Sequence, residues 1–170
     1  MNKILPLIIV LVLTSFTFAG KAMVVKSGTT ATKFAVSAID SIIFVNDSLI
    51  FDNGNIYAVS GTNSPPTDST RFTITATWVV TYLQDYHYYN GGDLPGTISL
   101  KHSDGTIYGP FQTTGSIGQG GVINAYWICY PFVTIKPGSY VVIDSDPSTW
   151  SHNSQSGDRG FAQIIGYLAP

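Results

Sequence analysis

The sequence predicts an all-β protein, an antiparallel β-sandwich preceded by a short β-hairpin segment. Three observations carry this. Apolar and polar residues alternate over long stretches, with Phe72, Ile74, Ala76, Trp78, Val80 and Tyr82 falling on one face and Thr73, Thr75, Thr77, Val79 and Thr81 on the other. Beyond the first twenty residues, no window repeats its apolar residues at the helical period. Turn signals recur at the spacing of about 8–12 residues typical of sandwiches. A jelly roll is the nearest competing arrangement.

Taken in order, Met1-Asn2-Lys3 is a short positive region, Ile4 to Leu13 is an almost unbroken apolar run, and Thr17-Phe18-Ala19 ends in small-residue spacing before Gly20. This is the pattern of a secretory signal peptide cut after Ala19. Its apolar run falls short of the roughly 20 residues of a membrane helix, so no membrane span is expected after cleavage. Residues 20–60 read as short strands: Ala22 to Lys26, Lys33 to Ser37, Ser41 to Val45, Ser48 to Phe51 and Asn55 to Val59, the last two flanking the hairpin signal Asp52-Asn53-Gly54. About 40 residues form too small a core to stand alone, so this segment is expected to pack on the main domain or on another chain. Residues 61–70, GTNSPPTDST, have the composition of a linker.

The main domain is placed at 71–170. It opens on the alternating strand from Arg71 to Tyr82 and continues through strands at Gly96 to His102 and Thr106 to Thr113, joined by Asp104-Gly105. Two further apolar runs, Val122 to Ile135 and Tyr140 to Ile143, are joined by the turn residues Lys136-Pro137-Gly138, and Gly160 to Leu168 closes the sandwich.

Only 11% of residues are charged and the formal net charge is -2, which removes the basic surface that nucleic-acid binding requires. With a single cysteine, Cys129, there is no internal disulfide, and a thiol inside an alternating strand reads as a small buried hydrophobe. Export without disulfides points to the outer surface or surroundings of a bacterium, with the periplasm as the other compartment it fits.

Two clusters carry candidate chemistry. Asp144 and Asp146, two apart at a strand end, suit a hard cation such as calcium, with Asp158 completing the metal set and Asn153 or main-chain carbonyls beside it. The competing reading makes both aspartates turn-formers before Pro147. The second cluster is aromatic and polar: Tyr86, His87, Tyr88 and Tyr89 beside Asn90-Gly91-Gly92-Asp93, with Trp150, His152 and Asn153 in a later polar loop. Aromatic faces next to amides and carboxylates can stack on a sugar ring and bond its hydroxyls. Trp78 and Trp127 lie in alternating strands and read as core, whereas Trp150 is the better ligand candidate. No nucleophile elbow, phosphate loop or glutamate pair is present, so no catalytic residue is assigned and a non-enzymatic protein is expected.

Two stretches also carry resemblances. Ala22 to Phe44 is similar to the mature N-termini of exported bacterial proteins. Gly96 to Leu100, Asp104 to Pro110, Gly118 to Trp127 and Pro137 to Ser151 resemble a recurring secreted bacterial β-domain of unassigned activity. The resulting expectation is a secreted module for adhesion or surface assembly, its partner a glycan or another surface protein. The alternatives are a calcium-supported carbohydrate-binding domain and a subunit of a surface polymer that uses strand addition.

Overall fold

The computed structural model describes residues 22–27, 29–35, 44–54 and 64–170. The stretch expected to be a signal peptide and the expected second strand of the Asn53-Gly54 hairpin lie outside the described residues. The chain forms two compact units, one ending at Phe44 and one starting at Val45. In the first, β1 (Ala22–Ser27) pairs antiparallel with β2 (Thr30–Ala35), Ala22 opposite Ala35 and Ser27 opposite Thr30. This is the expected N-terminal hairpin.

The second unit is an antiparallel β-sandwich without an α-helix among its described residues. Its larger sheet contains β3 (Ser48–Asp52), β5 (Trp78–Tyr86), β8 (Thr114–Ser116), β9 (Tyr126–Cys129), β10 (Val133–Ile135) and β12 (Ala162–Leu168). Their order is β3-β12-β5-β9-β8, with β10 beside the first half of β5 and β9 beside its second half. The smaller sheet runs β4 (Arg71–Ile74), β11 (Gly138–Asp144), β6 (Thr97–His102), β7 (Ile107–Gln112). The hairpin through Asp104-Gly105 is formed as expected, with Gly105 at φ 93°. The inner faces meet in a core of Phe72, Ile74, Val80, Leu83, Ile98, Leu100, Ile135, Tyr140, Val142 and Ile164, all buried. Within it the ring of Phe72 stacks on both Phe51 and Tyr140.

Three features depart from the sequence expectations. The alternating run from Arg71 to Tyr82 is not one strand: it breaks at residues 75–77, and β4 and β5 belong to different sheets. The run from Val122 to Ile135 breaks at Tyr130-Pro131-Phe132, where Pro131 removes a ladder donor and Phe132 takes a φ of 47°. Lys136-Pro137-Gly138 closes no hairpin, because β10 lies in the larger sheet and β11 in the smaller. That crossover is pinned by Lys136, which pairs with Asp104 and helps hold its carboxyl below the usual range, and by the Tyr140 hydroxyl donating to the Lys136 carbonyl at 2.6 Å.

The decisive detail is a bulge in β5. Ile165 of β12 faces Tyr82, but the next residue, Gly166, faces Val80, so Thr81 is the extra residue. Val80 and Thr81 are both buried, and the inward phase changes from even to odd numbers. Leu83, Asp85 and His87 therefore turn inward, while Tyr82 and Gln84 face out. Gly166 permits the bulge because a β-carbon there would collide with the Val79 carbonyl. Gly166→Ala is expected to lower stability by about 1–3 kcal/mol, the usual cost of overpacking, read as a drop in the urea midpoint of the protein.

Candidate functional site

The inward turn of β5 assembles a buried polar cluster between the two sheets. Asp85 comes from β5, His87 follows directly after it, Trp127 lies opposite Asp85 on β9, and Asp144 ends β11. The His87 and Asp144 side chains are wholly buried and meet at 3.1 Å, Nε2 to Oδ2. The imidazole lies flat on the Trp127 indole, ring centroids 3.7 Å apart at 18°.

Hydrogen-bond direction orients the imidazole. The Thr149 hydroxyl donates to Asp146 Oδ2 at 2.8 Å, so Nδ1–H of His87, 2.9 Å from that hydroxyl oxygen, is the donor on its side. The remaining contact, Nε2 to Asp144, then holds one proton between its two atoms. Asp144 Oδ1 also accepts the Asp146 amide at 2.7 Å.

Asp85 is 1% exposed, and neither of its oxygens has a donor among the described residues. Burial, and after it the neighbouring Asp144 charge, push its carboxyl well above the usual carboxylate range. A neutral Asp85 can donate to the Asp144 carboxylate, a bond that two ionised carboxylates cannot form. The cluster thus gathers Asp85, Asp144 and His87 in one place shut off from solvent.

The calcium candidates occupy different places. Asp144 is committed to His87 and to the turn amide of Asp146, which is the turn-forming reading of that residue. Burial works to raise Asp146, but the hydroxyls of Ser148 and Thr149 outweigh it and leave its carboxyl below the usual value. Asp158 lies apart from both, exposed, 3.7 Å from the buried His152 imidazole and at φ 55°. Among the described residues, no group of three or more His, Cys, Asp or Glu side chains is arranged to hold a metal ion.

The predicted ligand residues are similarly divided. Trp150 is 5% exposed and sits in the main core, its Nε1 donating to the Phe161 carbonyl at 2.9 Å. Gly160 packs against its indole, with no room for a β-carbon. The expectation of an accessible ring fails because residues 150–151 run alongside the end of β5, Ser151 N to the Tyr86 carbonyl and Tyr88 N to Ser151 Oγ, both at 2.8 Å. His152 is buried, with Nε2 3.0 Å from the Ser64 carbonyl oxygen. Asn153 caps the short turn at Ser154–Ser156 through the amides of Gln155 and Ser156. Tyr86 is buried, and its hydroxyl accepts the Gln119 amide at 3.3 Å. Tyr88 is half-buried, while Tyr89 and Asp93 stand exposed on a loop stitched to residues 123–124 by the side chains of Asn90 and Asn124. Burial lifts the Cys129 thiol to about 12, so it carries no thiolate at neutral pH.

Two accessible faces remain. The outer face of the smaller sheet holds a shallow groove of about 620 Å³, where Arg71 and Lys101 flank Val141 in one row and Ser103 and Ser139 add hydroxyls. The outer face of the larger sheet carries Tyr82, Gln84, Tyr126, Ile128, Ile165 and Tyr167, all half-buried, with the exposed Tyr130 at its margin. Sequence reasoning passed over this face because the unbroken alternation assigned Tyr82 to the core. The only available signal was a doublet, Val79-Val80, within an otherwise regular alternation. Comparison with known families, curated proteins and solved structures finds no match to this chain.

Asp85→Asn supplies the test of the buried cluster. A carboxyl held protonated in the folded state binds its proton more tightly there than in the unfolded chain. Its contribution is present below the ordinary aspartate value and declines as pH rises above about 4. The neutral amide removes this decline, so Asp85→Asn is expected to raise the melting temperature at pH 8 by about 3–8 °C and to change it little at pH 4. Asp144→Asn, which strands His87, should cost about 3–5 kcal/mol at neutral pH.

Proposed function

We propose that this chain is an exported, non-enzymatic β-sandwich module that makes contacts at the bacterial surface or in the extracellular space, using the outer face of its larger sheet. The observation that carries this reading is a division of labour. His87, Asp85, Asp144, His152 and Cys129 are buried, whereas Tyr82, Gln84, Tyr126, Gln163 and Tyr167 lie together on one accessible sheet face. A hydrolase needs its acid and base beside a cleft that admits substrate, and the Asp85, His87 and Asp144 cluster lies buried between the two sheets. The signal-like first 19 residues and the low charge support export and an uncharged mode of contact. Strand donation by residues 20–60 gains less support, because β3 already pairs with β12 of its own chain.

The test is retention of the labelled mature chain on bacterial envelopes and extracellular matrix. Tyr130 and Phe132 are 64% and 68% exposed, so truncating both leaves the fold nearly unchanged, within about 1 kcal/mol. Tyr130→Ala with Phe132→Ala should keep the melting temperature within about 3 °C and weaken retention at least about tenfold. Equal retention of both proteins would overturn the assignment of this face.

A further inference from the structure

We infer that the outer face of the larger sheet is a binding platform for a neutral polysaccharide chain, an assignment that rests on the contact face proposed above. The register sets out the platform in rows. Thr114, Ile128, Gln84, Gln163 and Asp52 lie side by side on β8, β9, β5, β12 and β3. At roughly 4.8 Å per strand this row is about 19 Å long, enough to lie under several sugar rings. Next to it runs Tyr82 opposite Ile165, with Tyr130 packed edge-on against Tyr82 at 5.6 Å and 66°. Tyr126 stands beyond the row on one side and Tyr167 on the other.

The two central amides are held by their neighbours in complementary states. Gln84 Oε1 accepts the Tyr82 hydroxyl at 2.5 Å, leaving its NH2 group to donate. Gln163 Nε2 donates to the Asp52 carboxylate at 2.9 Å, leaving its carbonyl to accept. Gln84 and Gln163 are directly opposite in register, so a donor and an acceptor stand side by side between tyrosine rings. A sugar offers the matching pair: hydroxyls that both give and take hydrogen bonds, and a C–H face that packs on an aromatic ring.

Charge selects the polymer class. Asp52 is the one charged side chain among the described strand residues of this face, and Gln163 already occupies it. An anionic polymer or an acidic membrane requires cations, and Arg71 and Lys101 lie on the opposite sheet. Tyrosine is common at the centres of protein interfaces as well, but the Trp, Met and Arg that accompany it there are missing from the strand residues of this face. The strand break at 130–132 adds a further sign of use. It spends a left-handed backbone at Phe132, a conformation costing a bulky residue about 1–3 kcal/mol, at a point where two large aromatic side chains stand in solvent.

The experiment is affinity electrophoresis of the mature chain in native gels. The gels contain soluble neutral polysaccharides (mixed-linkage β-glucan, xyloglucan, galactomannan, arabinoxylan and glycogen), with pectate and heparin as anionic comparators. Retardation is expected in at least one neutral gel and in neither anionic gel. Tyr130→Ala and, separately, Gln84→Ala should weaken the neutral interaction at least about tenfold while the melting temperature stays near that of the parent chain. Retardation in no neutral gel, retardation indifferent to both substitutions, or retardation confined to anionic gels and abolished by Lys101→Ala would each overturn the inference. Envelope retention lost in the Tyr130/Phe132 variant alongside blank polysaccharide gels would leave the contact face standing and make its partner a protein.

Discussion

The extra residue at Thr81 is the constraint on which the rest of this domain depends. A strand places alternate side chains on opposite faces, so inserting one residue transfers everything beyond it to the other face. Before the bulge, β5 buries Val80; after it, Leu83, Asp85 and His87 are inside. The buried Asp-His cluster and the tyrosine and glutamine face outside are two consequences of the same slip.

The cluster illustrates how interior polar groups shape a β-sandwich. An ionised, unpaired carboxyl in the interior is costly, and burial accordingly pushes the Asp85 carboxyl well above the usual carboxylate range. Asp144 serves two neighbours at once, His87 and the Asp146 amide, joining the end of the larger sheet to the end of the smaller one. Thr149 and Asp146 extend the network into the loop that carries Trp150 into the core. Such a network specifies one arrangement of its loops, because each alternative leaves a buried charge without a partner. Asp-His arrangements invite a catalytic reading; this one has the composition of a site and the burial of a scaffold.

The contact face we propose is made of residues with little intrinsic reactivity. Tyrosine and glutamine on a sheet offer ring faces and oriented amides, sufficient for recognition without chemistry. Because their positions are set by strand register and not by a mobile loop, ordering them costs little on binding.

The sequence by itself determined the class of this protein. The hairpin through Asp104-Gly105, the first strand from Ala22 and the closing strand at 162–168 are local signals, and each formed as read because turn chemistry and strand patterning act over a few residues. Burial of Cys129 and Trp127 was legible for the same reason. Tertiary structure alone decided which face each residue serves. Alternation gives two faces without saying where a strand leaves one sheet for the other, as between β4 and β5, or where a partner glycine lets a bulge reverse the phase, as at Gly166. Trp150 and His152 sit in a polar stretch that reads as exposed, and they are buried because residues 150–151 add themselves alongside β5. These outcomes depend on contacts across 60 or more residues, such as Tyr88 to Ser151, and such pairings are written in no single stretch of chain.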